Sequence, residues 1–191
     1  MVEVQTIAVI GAGKLGRGIA QVAALGGYHT ILEDLLPNAL RRAESELRAQ
    51  LDQAVKMGRL SASAARTAFS RLEFAGSVED AARAADLVIE SVPEELESKI
   101  EIFTLLDKIC RPGTILASTT TTLSITEIAG ITYRSRNCLG MRFPTPVDQS
   151  GRMEIIRGHE TDDETLAAAV EAGRRMGKEI VVIADARIPS A

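Results

Sequence analysis

Three glycines at fixed spacing are the residues of this chain best placed to do chemistry. They lie in Ile7-Ala8-Val9-Ile10-Gly11-Ala12-Gly13-Lys14-Leu15-Gly16-Arg17-Gly18, where a short apolar run turns through G-x-G-x-x-G into a helical pattern. The free N–H groups of such a helix start can hold a dinucleotide pyrophosphate. Gly11 then permits the tight turn, Gly13 removes a side chain where the phosphates approach, and Gly16 lets helix and strand pack closely. The expected cradle is Gly11, Ala12, Gly13, Lys14, Leu15 and Gly16. Because G-x-G-x-x-G alone is a weak signal, the flanking sequence must support it.

The flanks do support it. Ile19, Val22, Ala23 and Leu25 give a helical face, and Gly26-Gly27 stops the helix. A second apolar run, Thr30-Ile31-Leu32, leads into Glu33-Asp34. Asp34 follows Gly11 at close to the roughly 20-residue offset of a carboxylate that grips ribose hydroxyls. A carboxylate there accepts from the ribose diol and repels a 2′-phosphate, so the sequence predicts NAD rather than NADP. The plain alternative for Asp34 is a solvated strand end. Glu33, one position earlier, is expected to point to the other face of its strand.

The elements that must position these residues alternate between strands and helices. A long helix is expected over 37–57, opened by Pro37 and closed by Gly58, and a shorter one from Ser61 to about Phe69. Leu72-Glu73-Phe74 reads as a strand, and Ser77-Val78-Glu79-Asp80 as a capping box before a helix to Ala84. Leu87-Val88-Ile89 reads as a strand buried on both faces. A helix over Glu94 to Ile109 and a strand at Ile115-Leu116-Ala117 follow, ending in the hydroxyl-rich Ser118-Thr119-Thr120-Thr121-Thr122. Leu139-Gly140-Met141, Met153 to Ile156 and Glu179 to Ile183 read as strands, with a helix from Thr161-Asp162-Asp163-Glu164 to about Met176. This order predicts one α/β domain over 1–191, a doubly wound Rossmann-type sheet with ligands beyond the carboxyl ends of its strands.

Composition narrows the function further. The chain has 191 residues, 46% of them hydrophobic and 25% charged, which is ordinary for a globular protein. A net charge of −4 without a basic cluster argues against a nucleic-acid partner. No apolar stretch approaches the roughly 20 residues of a membrane span. Met1-Val2-Glu3-Val4-Gln5 carries no leader pattern, so a cytoplasmic protein is expected. Cys110 and Cys138 are isolated and read as reduced core thiols, and no metal site is expected.

Beyond the glycines, Gly18-Ile19-Ala20-Gln21, Ala85-Asp86-Leu87-Val88-Ile89-Glu90, Glu94-x-Leu96-x-x-Lys99 and Thr122-Leu123-Ser124-Ile125-Thr126-x-Ile128-Ala129 form a specific set. On these the chain resembles the N-terminal domain of the 3-hydroxyacyl-CoA dehydrogenases, over nearly its whole length. The resemblance implies oxidation of an acyl-CoA 3-hydroxyl to a ketone with NAD as hydride acceptor, a step of fatty acid metabolism. It places Glu94 and Lys99 beside the nicotinamide, where the alternative is a solvated ion pair at a helix start. It puts the substrate-binding hydroxyl of the family's S-N-T-S-S loop on Thr121, with Thr119 in place of its asparagine. Serine and threonine at a strand end also commonly satisfy local backbone groups.

Two departures stand out. The family's general base is a histidine in G-x-H-F-F-N-P-x-P, whereas this chain reads Gly140-Met141-Arg142-Phe143-Pro144-Thr145-Pro146. Arginine stays protonated at neutral pH and has no acceptor, so Arg142 cannot take a proton. Glu154 matches the carboxylate that orients that histidine, and is expected to pair with Arg142 here; the alternative is an ordinary surface carboxylate. His29 and His159 match no catalytic position. Lys56 and Arg59 stand where the family often has basic residues, but Gln50 replaces a small hydroxyl residue, so CoA recognition is less well supported.

The second departure is at the C-terminus. Family members run through D-x-P-G-F into a helical domain, but this sequence reads Asp185-Ala186-Arg187-Ile188-Pro189-Ser190-Ala191 and ends. The expectation is that the helical domain is absent, with a separate helical subunit or a second copy in a homodimer as a partner. Two functions follow as expectations. One is an NAD-dependent oxidoreductase of an acyl-CoA or, with Arg142 binding a carboxylate, a small hydroxy acid. The other is a non-catalytic NAD-binding module or one subunit of a split dehydrogenase.

Overall fold

Strand β1 (Thr6–Ile10) is buried from Ile7 onward because the sheet is covered on both faces. The computed structural model describes residues 3–185. Among them, β1, β2 (His29–Glu33), β3 (Leu72–Ala75), β4 (Leu87–Glu90), β5 (Ile115–Ser118), β6 (Cys138–Arg142), β7 (Arg152–Arg157) and β8 (Glu179–Ala184) form one sheet in the order β3-β2-β1-β4-β5-β6-β7-β8. β6 and β7 pair antiparallel; the other neighbours are parallel. The expected doubly wound α/β architecture is what the chain adopts.

Side chains alternate between two layers along each strand. Ile7 and Val9 face α1 (Lys14–Leu25) and α2 (Pro37–Lys56), in a layer that also takes in α7 (Asp163–Arg175). Ala8 and Ile10 face α4 (Val78–Ala82), α5 (Leu96–Ile109) and α6 (Ile125–Ala129). A smaller cluster joins α2 to α3 (Ala62–Ser70). Each fully buried Val, Leu or Ile contributes about 1.5–3 kcal/mol, so the loops rooted at the centre of the sheet have a firm base. Cys110 and Cys138 belong to the second layer, where burial pushes their thiols up to about 11 and about 12.

From β1 the chain steps outward to β2 and β3, then crosses back to β4 on the other side of β1. The loops after β1 and β4 therefore diverge and open a crevice at the carboxyl edge. Ile10 is in register with both Glu33 and Glu90, so β2, β1 and β4 end at one level.

Expectation and structure part most clearly at two helix ends and at one helix. α5 begins at Leu96, because Ser91 to Glu95 runs as a loop along the crevice. α4 ends at Ala82, short of Ala84. The α6 helix was not expected, although Ser124-Ile125-Thr126-Glu127 has a capping-box pattern; Ser124 Oγ accepts from the Glu127 N–H at 3.2 Å. The expectations for Met1-Val2 and for the segment after Asp185 lie outside the described residues. Among the described residues no helix is long and apolar enough to cross a membrane.

Candidate functional site

The loop joining β1 to α1 is shaped by what its glycines avoid. Gly11 has φ of +102°, and a β-carbon there would lie 2.7 Å from the Ser91 carbonyl oxygen. At Gly16 a β-carbon would lie 1.9 Å from the Gly11 carbonyl oxygen and 3.5 Å from Val9. Gly16 thus serves first to let the loop close on the helix, and only second to bring helix against strand. Gly13 is different: nothing stands within 4 Å of where its β-carbon would be. It faces open space.

Helix α1 starts at this opening with no side-chain cap and no acidic residue in its first turn. By contrast Ser77, Ser124 and Asp162 cap α4, α6 and α7. The first helical bond runs from the Arg17 N–H to the Gly13 carbonyl at 3.0 Å, so the amides before it have no partner within the helix. Arg17 fixes the loop from behind, donating to the Ala12 carbonyl at 2.8 Å and pairing with Glu46 of α2 at 2.7 Å.

Asp34 stands at the end of β2 beside this loop. Its Oδ2 accepts from the Ala12 N–H at 3.1 Å and its Oδ1 from the Leu36 N–H at 2.9 Å. The Ala12 amide is therefore engaged by Asp34, and Ala12 is buried. Each carboxylate oxygen keeps a further lone pair for a ligand. Glu33 does turn to the other strand face, with Ile31, yet it too lines the crevice. Burial and the Asp34 charge raise its carboxyl to about 7, while the Gly11 amide works against them.

The crevice has a volume of about 720 Å³ and runs from Gly11, Gly13, Lys14 and Leu15, past Glu33 and Asp34, to Glu94 and Thr121. At that far end Glu94 gathers the hydroxyl-rich loop. Its Oε1 accepts from Thr120 Oγ1 at 2.6 Å, the Thr121 N–H at 2.8 Å, the Thr122 N–H at 3.0 Å and Thr122 Oγ1 at 3.1 Å. Desolvation opposes its charge, but these bonds and the Lys99 ammonium outweigh it and hold the carboxyl at about 2.

Lys99 itself is fully buried and lines no part of the crevice. Its Nζ lies 2.8 Å from Glu90 and 3.4 Å from Glu94. Glu90 in turn accepts from Ser118 Oγ at 2.6 Å and the Val92 N–H at 2.7 Å. Lys99 thus stands behind Glu94 as a buried partner, where the alternative expected from the sequence was a solvated pair. Its ammonium ties Glu90, at the end of β4, to Glu94 in the loop that follows, and Glu94 in turn reaches the loop after β5.

Arg142 ends β6 in register with Glu154 of β7. Its Nη1 donates to Glu154 Oε2 at 2.9 Å and its Nη2 to the Thr121 carbonyl at 3.0 Å. Nε reaches the Thr120 carbonyl at 3.4 Å. The expected pairing with Glu154 exists, through one nitrogen, while the rest of the fork holds the threonine loop. A pocket of about 150 Å³ opens here, lined by Thr120, Thr121, Thr122, Arg142, Ile183 and Asp185 among others. His29 is remote at the start of β2, 3.2 Å from Glu73, and His159 sits on an exposed loop.

The glycine cradle, Asp34, Glu94, Thr121, Arg142 and Glu154 thus fall along one carboxyl edge. The open face of Gly13 and the uncapped helix start fit a pyrophosphate, and the Asp34 carboxylate fits a ribose diol. Sequence reasoning missed Glu90, Arg17 and the crevice position of Glu33. Glu90 had a signal, a carboxylate ending an otherwise apolar strand. Arg17 and Glu46 carry none, since their pairing depends on how α1 crosses α2.

The comparisons with known proteins agree with this geometry. Residues 6–186 match the family model described as the NAD binding domain of 3-hydroxyacyl-CoA dehydrogenase. The chain is 38% identical over 183 residues to a probable 3-hydroxybutyryl-CoA dehydrogenase of Bacillus subtilis, covering 96% of this chain and 63% of that relative. Its fold superposes with a TM-score of 0.93 on 3-hydroxybutyryl-CoA dehydrogenase of Escherichia coli K12, at 35% identity, over 96% of this chain and 39% of that one. The corresponding enzyme of Ralstonia eutropha gives a TM-score of 0.93 at 31% identity, over 96% and 65%. The chain therefore spans less than two thirds of each of these proteins.

Proposed function

Since the chain belongs to the 3-hydroxyacyl-CoA dehydrogenase family, as its NAD-binding domain, we propose that it is the cofactor-holding part of an NAD-dependent oxidoreductase acting on a 3-hydroxyacyl-CoA, with proton removal impaired by Arg142. The observation that carries this reading is the Arg142–Glu154 contact at 2.9 Å, at the place where the family pattern sets histidine and carboxylate.

The main-chain amides at the start of α1 would hold the pyrophosphate and Asp34 the ribose. When bound, the nicotinamide supplies the hydride acceptor. Glu94 keeps the threonine loop in one shape, and Thr121 Oγ1, which donates to Glu94 Oε1 at 3.4 Å, would turn its hydroxyl from that carboxylate to the substrate oxygen. Hydride departure leaves a hydroxyl proton that must be removed. Arg142 has no lone pair for it, and Glu94, held at about 2, is too weak a base. Loss of a positioned base costs roughly 10²–10⁴-fold in rate.

The test is NADH formation from NAD and 3-hydroxybutyryl-CoA, alongside a fluorescence titration with NADH. Slow turnover with firm NADH binding is expected. A rate equal to the enzyme-free control, with NADH still bound, removes the thioester activity and leaves the second reading: an NAD-binding module, or one subunit of a split dehydrogenase. The engagement of three Arg142 nitrogens by Glu154 and the threonine loop favours that second reading. Failure to bind NADH at all overturns both.

A further inference from the structure

Among the described residues, the only buried side-chain oxygen without a hydrogen-bond partner is Oε1 of Glu33. A buried polar atom left unpaired costs about 1–3 kcal/mol. Arg17 Nε is the other buried side-chain polar atom without a partner, but its guanidinium is held by the Ala12 carbonyl and Glu46. Glu90 meets Lys99, Ser118 and the Val92 amide, and Lys178 is held by the carbonyls of Val147 and Ser150. Glu33 is 2% exposed, sits in register with Ile10 and Ala75, and lines the crevice next to Asp34. Its surroundings on that face are apolar: Ile10, Ile31 and Val78. A valine would suit such a place better, unless something else enters the crevice and meets the carboxyl.

We propose that Glu33 is a second acceptor for the nucleoside end of the dinucleotide, its free oxygen taking a hydrogen bond from a ribose hydroxyl or the base amino group. The inference rests on the NAD reading above and extends it from one carboxyl to two. Asp34 is committed on both oxygens to the Ala12 and Leu36 amides, so its orientation is set by the protein. Glu33 has an acceptor that the protein leaves open. Its carboxyl, at about 7, is partly protonated near neutrality. In either state it retains an oxygen that accepts, and the protonated form spares the site a second full charge beside Asp34.

The experiment compares the 191-residue chain with Glu33→Gln, Glu33→Val and, separately, Asp34→Asn. The ligands are NADH, ADP-ribose, and reduced nicotinamide mononucleotide, which lacks the adenosine. Urea unfolding is measured without ligand. Glu33→Val is expected to weaken NADH and ADP-ribose alike, by roughly five- to thirtyfold, the loss of one such hydrogen bond. Mononucleotide binding should stay unchanged and the urea midpoint equal or higher, because an unpaired buried oxygen has gone. Glu33→Gln, which keeps a carbonyl oxygen, should stay within about threefold of the parent.

Parent-like binding by Glu33→Val overturns the inference. So does equal weakening by Gln and Val with the fold intact, or a loss of mononucleotide binding as large as that of NADH. If the unaltered chain binds neither NADH nor ADP-ribose, the NAD reading itself fails and takes the inference with it. If only Asp34→Asn weakens binding, the NAD reading survives and the Glu33 role does not.

Discussion

Arg142 and Glu154 face each other across the antiparallel β6–β7 step, 2.9 Å apart, while the same guanidinium holds the Thr121 carbonyl at 3.0 Å. An arginine so placed braces the threonine loop but cannot take up a proton. The carboxylate that would orient a histidine here neutralises a permanent cation instead.

Replacing the arginine should therefore restore chemistry. Arg142→His is expected to raise the rate of NADH formation with 3-hydroxybutyryl-CoA by roughly 10²–10⁴-fold, with NADH affinity little changed. Adding Glu154→Gln to that variant should lower the rate again, since the imidazole then loses its orienting partner. Stopped or steady-state NADH absorbance reads both. No gain, with NADH still bound, locates the deficit outside residue 142.

The buried ion pair gives a prediction about stability. Lys99 and Glu90 are both fully buried and 2.8 Å apart. Removing one partner leaves the other charged and unpaired in the interior, so Lys99→Met should cost about 3–5 kcal/mol. Adding Glu90→Gln should recover part of that loss, because the only carboxylate then left beside residue 99 is Glu94, which is partly exposed. Urea unfolding of the single and double variants measures the difference. A mild effect of Lys99→Met alone contradicts the buried arrangement.

The legibility of the sequence divides along the same physical line. Patterns set by local spacing were readable: the glycine turn, the position of Asp34 beside it, and the apolar runs of β1 and β4, whereas the pairing of Arg142 with Glu154 was legible only through the family resemblance. The burial of Lys99 was not readable, because spacing puts it in the first turn of α5 but does not say that this turn packs against Glu90. Glu33 was judged by strand alternation alone. That rule sent its side chain to the correct face, but it says nothing of a crevice wrapping round the strand end. Arg17 and Glu46 meet only because of a helix crossing that no short pattern encodes.

Two carboxyls should give the folded chain opposite pH limbs. Glu94 is held at about 2 against an ordinary 4.5, so its contribution is present above about 4.5 and is lost as pH falls towards 2. Glu33 is raised to about 7 from 4.5, so the folded state binds more protons between those values. Its contribution is full below 4.5 and is lost as pH rises through 7. Urea midpoints across pH should fall on both sides. Glu94→Gln flattens the acid limb and Glu33→Gln the neutral one; limbs unchanged by these substitutions refute the assignments.

Gly13 and Gly16 separate a role towards a ligand from a role in the fold. Gly13 has φ of −64°, which alanine adopts freely, and nothing occupies the place of its β-carbon. Gly13→Ala should thus leave the urea midpoint within about 0.5 kcal/mol of the parent, as surface substitutions do. A methyl group there would still stand where the diphosphate approaches main-chain amides, so NADH affinity should fall at least tenfold, about 1.4 kcal/mol. Gly16→Ala forces a β-carbon to within 1.9 Å of the Gly11 carbonyl, backbone that cannot yield without opening the loop. It should lower both the urea midpoint and NADH affinity. If Gly13→Ala binds NADH as the parent does, the phosphates do not pass over that residue, and the cradle must be placed elsewhere along α1.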